Sequence, residues 1–239
     1  MIYDMKKILI VGCGGTGSNL IKELARYISF RYERQEDRPQ VVLIDGDVVE
    51  TKNLERQSFD VNDVHQNKAE AMSMAVNDVF DVDFSYYPQY ITEIEQLKRL
   101  TEDDVEIMIV GCVDNHNCRQ VLHAFFQSVQ NGIYIDAANE YSGGEVVCGI
   151  RVSGIRLYKD RAELFPEILK PSKSVIEMSC EELNNSEPQH LVTNLMSANI
   201  CLSLVVQVLN GILKKGGIYY FDAFQCNIQR RDDLCLAKK

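Results

Sequence analysis

Seven residues in one short string carry the first chemical signal: Gly12-Cys13-Gly14-Gly15-Thr16-Gly17-Ser18. An apolar run over residues 7–11 leads into it, and a helical pattern leads out of it. Glycines at 12, 14 and 17 match the spacing of a dinucleotide-type phosphate loop in the required strand–turn–helix context. Without a Cβ the backbone turns tightly and approaches a phosphate closely. The helix that follows offers free N–H groups and a partial positive charge to an anion. The bland alternative is a tight turn that only packs helix on strand. Asp45 closes a second apolar run at 41–44, where a carboxylate accepts ribose hydroxyls. That role serves NAD and ATP equally; Asp47, two residues on, is the competing candidate.

Three further features exceed what a dehydrogenase needs. Asn53-Leu54-Glu55-Arg56-Gln57 follows the second strand, Lys68 opens the next helix, and Asp114-Asn115 ends a later apolar run at 106–110. Ligands of open α/β sheets bind at such carboxyl-end positions. A nucleoside triphosphate is a concentrated anion. Arg56 can fork onto two phosphate oxygens, and Lys68 adds a compact point charge. Asp114 can hold Mg²⁺, which takes one or two carboxylates together with phosphates. Together they suit displacement at phosphorus, where catalysis is mainly positioning and charge neutralisation. Taken singly, Arg56 and Lys68 read as surface charges, and Asp114 or Asn115 as a helix N-cap.

The elements needed to place these residues follow from periodicity. Strands are expected at 7–11, 41–44, 84–87, 106–110 and 134–137. Helices are expected after Gly17 (Leu20, Ile21, Leu24, Ala25 and Ile28 on one face), at 67–79 (Ala69, Met72, Ala75, Val76, Val79), at 94–100 and through Val121–Val129. This alternation predicts a Rossmann-like open α/β sheet, parallel in its N-terminal part. From about 143 the pattern changes. An extended strand at 145–152 is followed by a long crossover loop at 159–188, an apolar helix at 191–213 and a closing antiparallel pair at 218–221 and 226–229. We expect one domain over 1–239, with a nucleotide-binding core at 1–150 and the crossover loop, late helix and closing strands at 151–239.

Length and composition agree. At 239 residues, 46 % hydrophobic and 25 % charged, the chain buries a core without staples. A net charge of −10 argues against a non-specific nucleic-acid or membrane-surface binder. The start of the chain runs too quickly into the first strand for a signal segment, so a cytoplasmic location is expected. Eight cysteines are scattered with no C-x-x-C pair, so neither a disulfide framework nor a zinc motif is expected. The four histidines show no metal spacing.

The glycine string, Asp45-Gly46-Asp47, Asn53-x-x-Arg56-Gln57, Lys68 and Asp114-Asn115 resemble the ThiF/MoeB/HesA family, prokaryotic relatives of ubiquitin-activating enzymes. The resemblance covers roughly the first 150 residues; in outline the chain is most similar to the ThiF-like proteins of PRTRC systems. It implies an adenylyltransferase that uses Mg·ATP to activate a carboxylate, typically the C-terminal glycine of a ubiquitin-like protein, with release of pyrophosphate. It implies that Asp45 binds the ribose, that Asn53, Arg56 and Lys68 contact the phosphates, and that Asp114 holds the magnesium. The backbone around Gly14–Ser18 would cradle the nucleotide, and residues 137–142 would line the path of the incoming carboxylate. A homodimer is also implied.

Two departures stand out. The paired C-x-x-C motifs of zinc-bearing members are missing, and no arginine precedes the glycine loop. Arg31 and Arg34 are the nearest substitutes in sequence. Cys180, in Met178-Ser179-Cys180-Glu181-Glu182, sits where family members often place a cysteine that takes the activated acyl group. A thiolate suits that step, although the neighbouring glutamates would raise its pKa. The competing functions are an NAD-dependent oxidoreductase, which leaves Arg56, Lys68 and Asp114 idle, and a non-catalytic nucleotide-binding adaptor. Within ATP chemistry, the acceptor could also be a small molecule, a peptide or a modified tRNA base.

Overall fold

A computed structural model describes residues 5–101, 106–170 and 189–232. Its elements run β1 (Lys7–Val11), α1 (Gly15–Arg31), β2 (Gln40–Ile44), α2 (Lys68–Phe80), β3 (Phe84–Tyr87), α3 (Ile94–Thr101), β4 (Glu106–Gly111), α4 (His116–Ser128) and β5 (Asn131–Asn139). After these come β6 (Gly143–Val152), β7 (Ile155–Tyr158), α5 (Arg161–Leu164), α6 (Leu191–Leu209), β8 (Gly217–Asp222) and β9 (Asn227–Arg231). The strands form one sheet in the order β3-β2-β1-β4-β5-β6-β8-β9, with β7 also paired to β6. The five strands from β3 to β5 are mutually parallel. From β6 onward every pairing is antiparallel. This is the Rossmann-like open sheet with antiparallel closing strands that the sequence predicts. The strand order reverses between β1 and β4, which opens a crevice at their carboxyl ends.

Side chains of β1 alternate between two apolar layers, as the pleat requires. Ile8 and Ile10 join the layer formed with α1, α2 and α6; Leu9 and Val11 join the layer formed with α3 and α4. Both layers are dense in branched residues, which fits a parallel sheet covered on both faces.

Four local expectations are corrected. Ala75 and Val79 of α2 are exposed; the buried stripe is Ala69, Met72, Ser73 and Val76. Ser73 belongs to it because its hydroxyl donates to the Phe84 carbonyl at 2.5 Å, a polar tether that apolar periodicity does not register. β5 spans nine residues rather than four, since β4 and β6 flank it over most of its length. β7 has no counterpart among the expected strands, and the segment read as loop from 159 contains α5 and a 3-10 turn at Pro166–Leu169. α6 stops at Leu209, not 213. Gly211 takes φ +66°, and the amides of Ile212 and Leu213 fold back onto the Gln207 carbonyl. By length and composition α6 could cross a membrane, yet half of it is buried, with Ile200, Cys201, Leu204, Val205 and Val208 inside the α1 layer.

Candidate functional site

The glycine loop is shaped by close approaches. Gly12 has φ +96°, and a Cβ there would lie 2.6 Å from the Cys112 carbonyl oxygen at the end of β4. A Cβ at Gly17 would fall 1.9 Å from the Gly12 carbonyl oxygen, so α1 can start so near β1 only with glycine there. α1 begins at Gly15 with Gly14 as its N-cap, no side-chain cap and no acidic residue in its first turn. Its positive end is therefore left to an anion from outside the helix. Two hydroxyls of the loop are committed to structure. Thr16 Oγ1 accepts from Asn139 Nδ2 at 2.8 Å, and Ser18 Oγ accepts from the Ser58 amide at 3.0 Å.

Asp45 lies beside this loop at the end of β2. Its Oδ2 accepts from the Cys13 amide at 2.6 Å and its Oδ1 from the Asp47 amide at 2.8 Å. A carboxylate retains lone pairs for hydroxyl donors after two such bonds. Burial pushes the Asp45 carboxyl above its ordinary range, and the two amides and Lys68 oppose it. Asp47 behaves oppositely: burial raises it, but the Tyr90 hydroxyl and Lys68 ammonium outweigh burial and hold it low. Lys68 Nζ contacts Asp47 Oδ2 at 3.1 Å, and Lys68 is 7 % exposed. Its position is set by Asn67, which caps α2 through the Ala69 and Glu70 amides and donates to the Asp45 and Asp47 carbonyls at 2.9 and 3.0 Å. Asn67 is not among the residues that the sequence singles out; an asparagine directly before a helical run was its available signal.

The segment after β2 crosses back over the glycine loop. Asn53 is buried, and its Oδ1 accepts from the Glu50 amide at 2.9 Å. That bond stabilises the turn from which Arg56 and Gln57 project, with both of their amides bonded to the Asn53 carbonyl. Gln57 Nε2 is the nearest atom to a Cβ built on Gly14, at 3.9 Å, and its buried Oε1 has no partner among the described residues. Arg56 is half-buried and makes no ion pair among the described residues. Across the crevice, Asp114 is exposed just past β4, next to the Cys112–Val113 stretch that packs on Gly12. Its hard oxygen donors suit Mg²⁺. Asn115 serves the fold, since its Oδ1 accepts from the Cys118 amide at 2.8 Å as the N-cap of α4.

The wall formed by β5 and the start of α6 closes the far side. Asn139 Nδ2 also donates to Asn194 Oδ1 at 3.1 Å, and a Cβ on Gly15 would strike Asn194 Nδ2 at 2.3 Å. Asn139 Oδ1 and Asn194 Nδ2 are buried without partners among the described residues. Beneath this wall lies Asp136, 1 % exposed, which accepts from Tyr134 Oη at 2.5 Å, Arg161 Nε at 2.9 Å and Arg119 Nε at 3.3 Å. Arg119 donates as well to the Val113 and Ala137 carbonyls, so it braces the turn before Asp114 against residues 137–142.

The remaining expectations are placed as follows. Arg31 ends α1, about 25 Å along the helix axis from Gly15. Arg31 bonds Asn210, and Arg34 bonds Asp37 and Glu36. Within one chain neither reaches the glycine loop. Cys180 lies outside the described residues. Burial first, then Asp45, pushes the Cys13 thiol well up, which makes this loop cysteine inert as a nucleophile.

A family model described as the ThiF family matches residues 3–232, and the chain belongs to that family. Solved structures share its fold. E. coli MccB with ATP aligns at TM-score 0.69 and 20 % identity, covering 96 % of this chain and 64 % of that one. SeMet PaaA aligns at 0.68 and 17 %, with coverages of 96 % and 64 %. The microcin C7 biosynthetic enzyme MccB in complex with N-formylated MccA aligns at 0.66 and 18 %, with coverages of 96 % and 65 %. This chain thus spans a little under two thirds of the length of those proteins.

Proposed function

We propose that this ThiF-family chain binds ATP and Mg²⁺ and adenylates a carboxylate. A carboxylate oxygen attacks the α-phosphorus of ATP and forms the acyl–O–P bond. The bond from the α-phosphorus to the bridging oxygen breaks, and pyrophosphate leaves with that electron pair. The observations that support this reading are an α1 N-terminus without a side-chain cap, Asp45 bonded to the Cys13 amide, Lys68 beside Asp47, an exposed Asp114 just past β4, and an Arg56 that makes no ion pair among the described residues.

Each residue has a role in this scheme. Asp45 accepts the ribose hydroxyls. The first amides of α1 face the α-phosphate, and the glycines let it approach. Arg56 and Lys68 neutralise the outer phosphates, Lys68 exchanging its Asp47 partner for them. Asp114 holds Mg²⁺, which offsets phosphate charge when bound. Gln57 Oε1, Asn139 Oδ1 and Asn194 Nδ2 are buried around the loop with no partner among the described residues, so ligand groups there satisfy polar atoms that otherwise cost stability. Residues 137–142 lead the acceptor in. The acceptor is the C-terminal glycine of a small ubiquitin-like protein, and the working unit is a homodimer in the cytoplasm. The structures of MccB with ATP and with MccA support a site of this kind that takes a nucleotide and a second substrate.

Calorimetric titration with Mg·ATP and with NAD, on the unaltered chain and on Arg56→Ala, tests the reading without knowledge of the acceptor. ATP binding that weakens in the variant, with no NAD binding, is expected. Preference for NAD, unchanged in the variant, would overturn it in favour of an oxidoreductase.

A further inference from the structure

Tyr90 follows β3, and its side chain lies over the Asp45-Gly46-Asp47 turn. A Cβ built on Gly46 would meet Tyr90 Cδ2, Cγ and Cδ1 at 2.6, 2.6 and 2.7 Å. Three adjacent ring carbons at nearly equal distance place that point close to the ring axis. The ring therefore lies face-on over the Gly46 Cα, and only glycine leaves room for it. The phenol hydroxyl donates to Asp47 Oδ1, while Asp47 Oδ2 holds Lys68 Nζ. The Tyr90 carbonyl accepts from Gln96 Nε2 at 2.9 Å. Despite these three anchors Tyr90 is 61 % exposed. A large aromatic side chain in the core would be buried, and an idle one at the surface would be unanchored. Here one face is fixed against the backbone and the other is open, one residue from the carboxylate assigned to the ribose.

We infer that Tyr90 is the base-stacking residue of the nucleotide site: its open face receives the purine of ATP, while its hydroxyl bond to Asp47 holds the ring over the Gly46 turn. This inference rests on the nucleotide-binding reading above and adds to it the residue that holds the base. Every base has a π-face, so stacking gives affinity without selecting adenine by hydrogen bonding. The hydrogen bond to Asp47, with burial second, pushes the phenol up to about 12, so it remains a donor at neutral pH.

The test is calorimetry with two probes, Mg·ATP and inorganic tripolyphosphate, on the unaltered chain, Tyr90→Ala, Tyr90→Phe and Gly46→Ala. Removal of a stacking ring is expected to lower ATP affinity about tenfold or more. Tripolyphosphate, which has no base, should bind Tyr90→Ala as it binds the unaltered chain. Tyr90→Phe keeps the ring and should keep most of the ATP affinity. Gly46→Ala should reproduce the Tyr90→Ala loss by displacing the ring. The chain has no tryptophan, so Tyr90→Trp installs a single tryptophan, excited selectively over the tyrosines, whose emission should change with ATP and stay constant with tripolyphosphate. Equal ATP affinity in Tyr90→Ala and the unaltered chain would overturn the inference alone, as would an equal loss for both probes. No ATP binding by the unaltered chain would overturn the nucleotide reading together with it.

Discussion

Two clusters of charge in this molecule use the same ingredients to opposite ends. Under β5, Asp136 receives Tyr134, Arg119 and Arg161, and Arg161 reaches on to Glu145 at 2.5 Å; each of these charges is buried or half-buried and answered. At the crevice, Asp114 is exposed, and among the described residues Arg56 has no ion pair and three buried amide atoms have no partners. Charges taken out of water are stabilised only when partners satisfy them fully. The sealed cluster therefore serves the fold. The loose one holds polar capacity that the described residues leave unused, and the proposed nucleotide draws on it.

Substitutions should separate the two. The largest effect is expected at Asp136. Asp136→Ala leaves Arg119 and Arg161 buried without their shared carboxylate, at a cost of about 3–5 kcal/mol in urea unfolding without nucleotide. A loss below about 1 kcal/mol would show that the cluster is not what holds β5, α4 and α5 together. Asp114→Ala should do the reverse. Its unfolding free energy should stay within about 0.5 kcal/mol of the parent. ATP affinity should lose its dependence on Mg²⁺, by about tenfold, or about 1.4 kcal/mol. Full Mg²⁺ dependence in the variant would remove Asp114 from the metal role.

Asp160 stands between these extremes, because its partner titrates. It is fully buried, and its Oδ2 contacts His123 Nδ1 at 2.8 Å and Gln127 Nε2 at 2.9 Å. The Asp160 hydrogen bond raises the His123 pKa against partial burial. A raised histidine pKa means that the folded state holds the proton more tightly. The pair's contribution is thus complete below the unfolded pKa of about 6.5 and is lost as pH rises through the folded value. The stability difference between the parent and His123→Gln should be under about 1 kcal/mol and should shrink over that window. An NMR titration of the His123 ring with a midpoint at or below about 6.5 would contradict the assignment.

Local patterns in the sequence were enough to place the glycine loop after β1, Asp45 after β2 and Lys68 at the start of α2, because each position is defined by neighbours within a few residues: a strand end, a turn, a helix start. Asn115 illustrates the limit of such patterns. An asparagine before a helix can serve a ligand or the helix, and spacing does not separate the two; in the structure its Oδ1 accepts from the Cys118 amide as the cap of α4. Tyr90 and Asn194 were illegible for another reason. They meet the turn at Gly46 and the loop at Gly15 only after β3 has aligned with β2 and α6 has packed on α1. The Asp136 cluster joins residues from four elements, and no spacing rule brings Arg119, Asp136, Glu145 and Arg161 together. Ser73 was passed over because periodicity counts apolar residues, whereas a buried hydroxyl can hold a core position when it has an acceptor.

The seating of α6 has a consequence for synthesis. Its Asn194 amide abuts Gly15, and Asn210 just beyond it bonds Tyr27 and Arg31, so the layer over α1 is completed by residues made about 160 positions later. At ribosomal rates that interval lasts on the order of ten to thirty seconds. During it the nascent chain carries an uncovered apolar flank on α1 and a glycine loop with one wall missing. Chaperones that shield such flanks have their longest opportunity then, and under the nucleotide reading ATP is not gripped until α6 has left the exit tunnel.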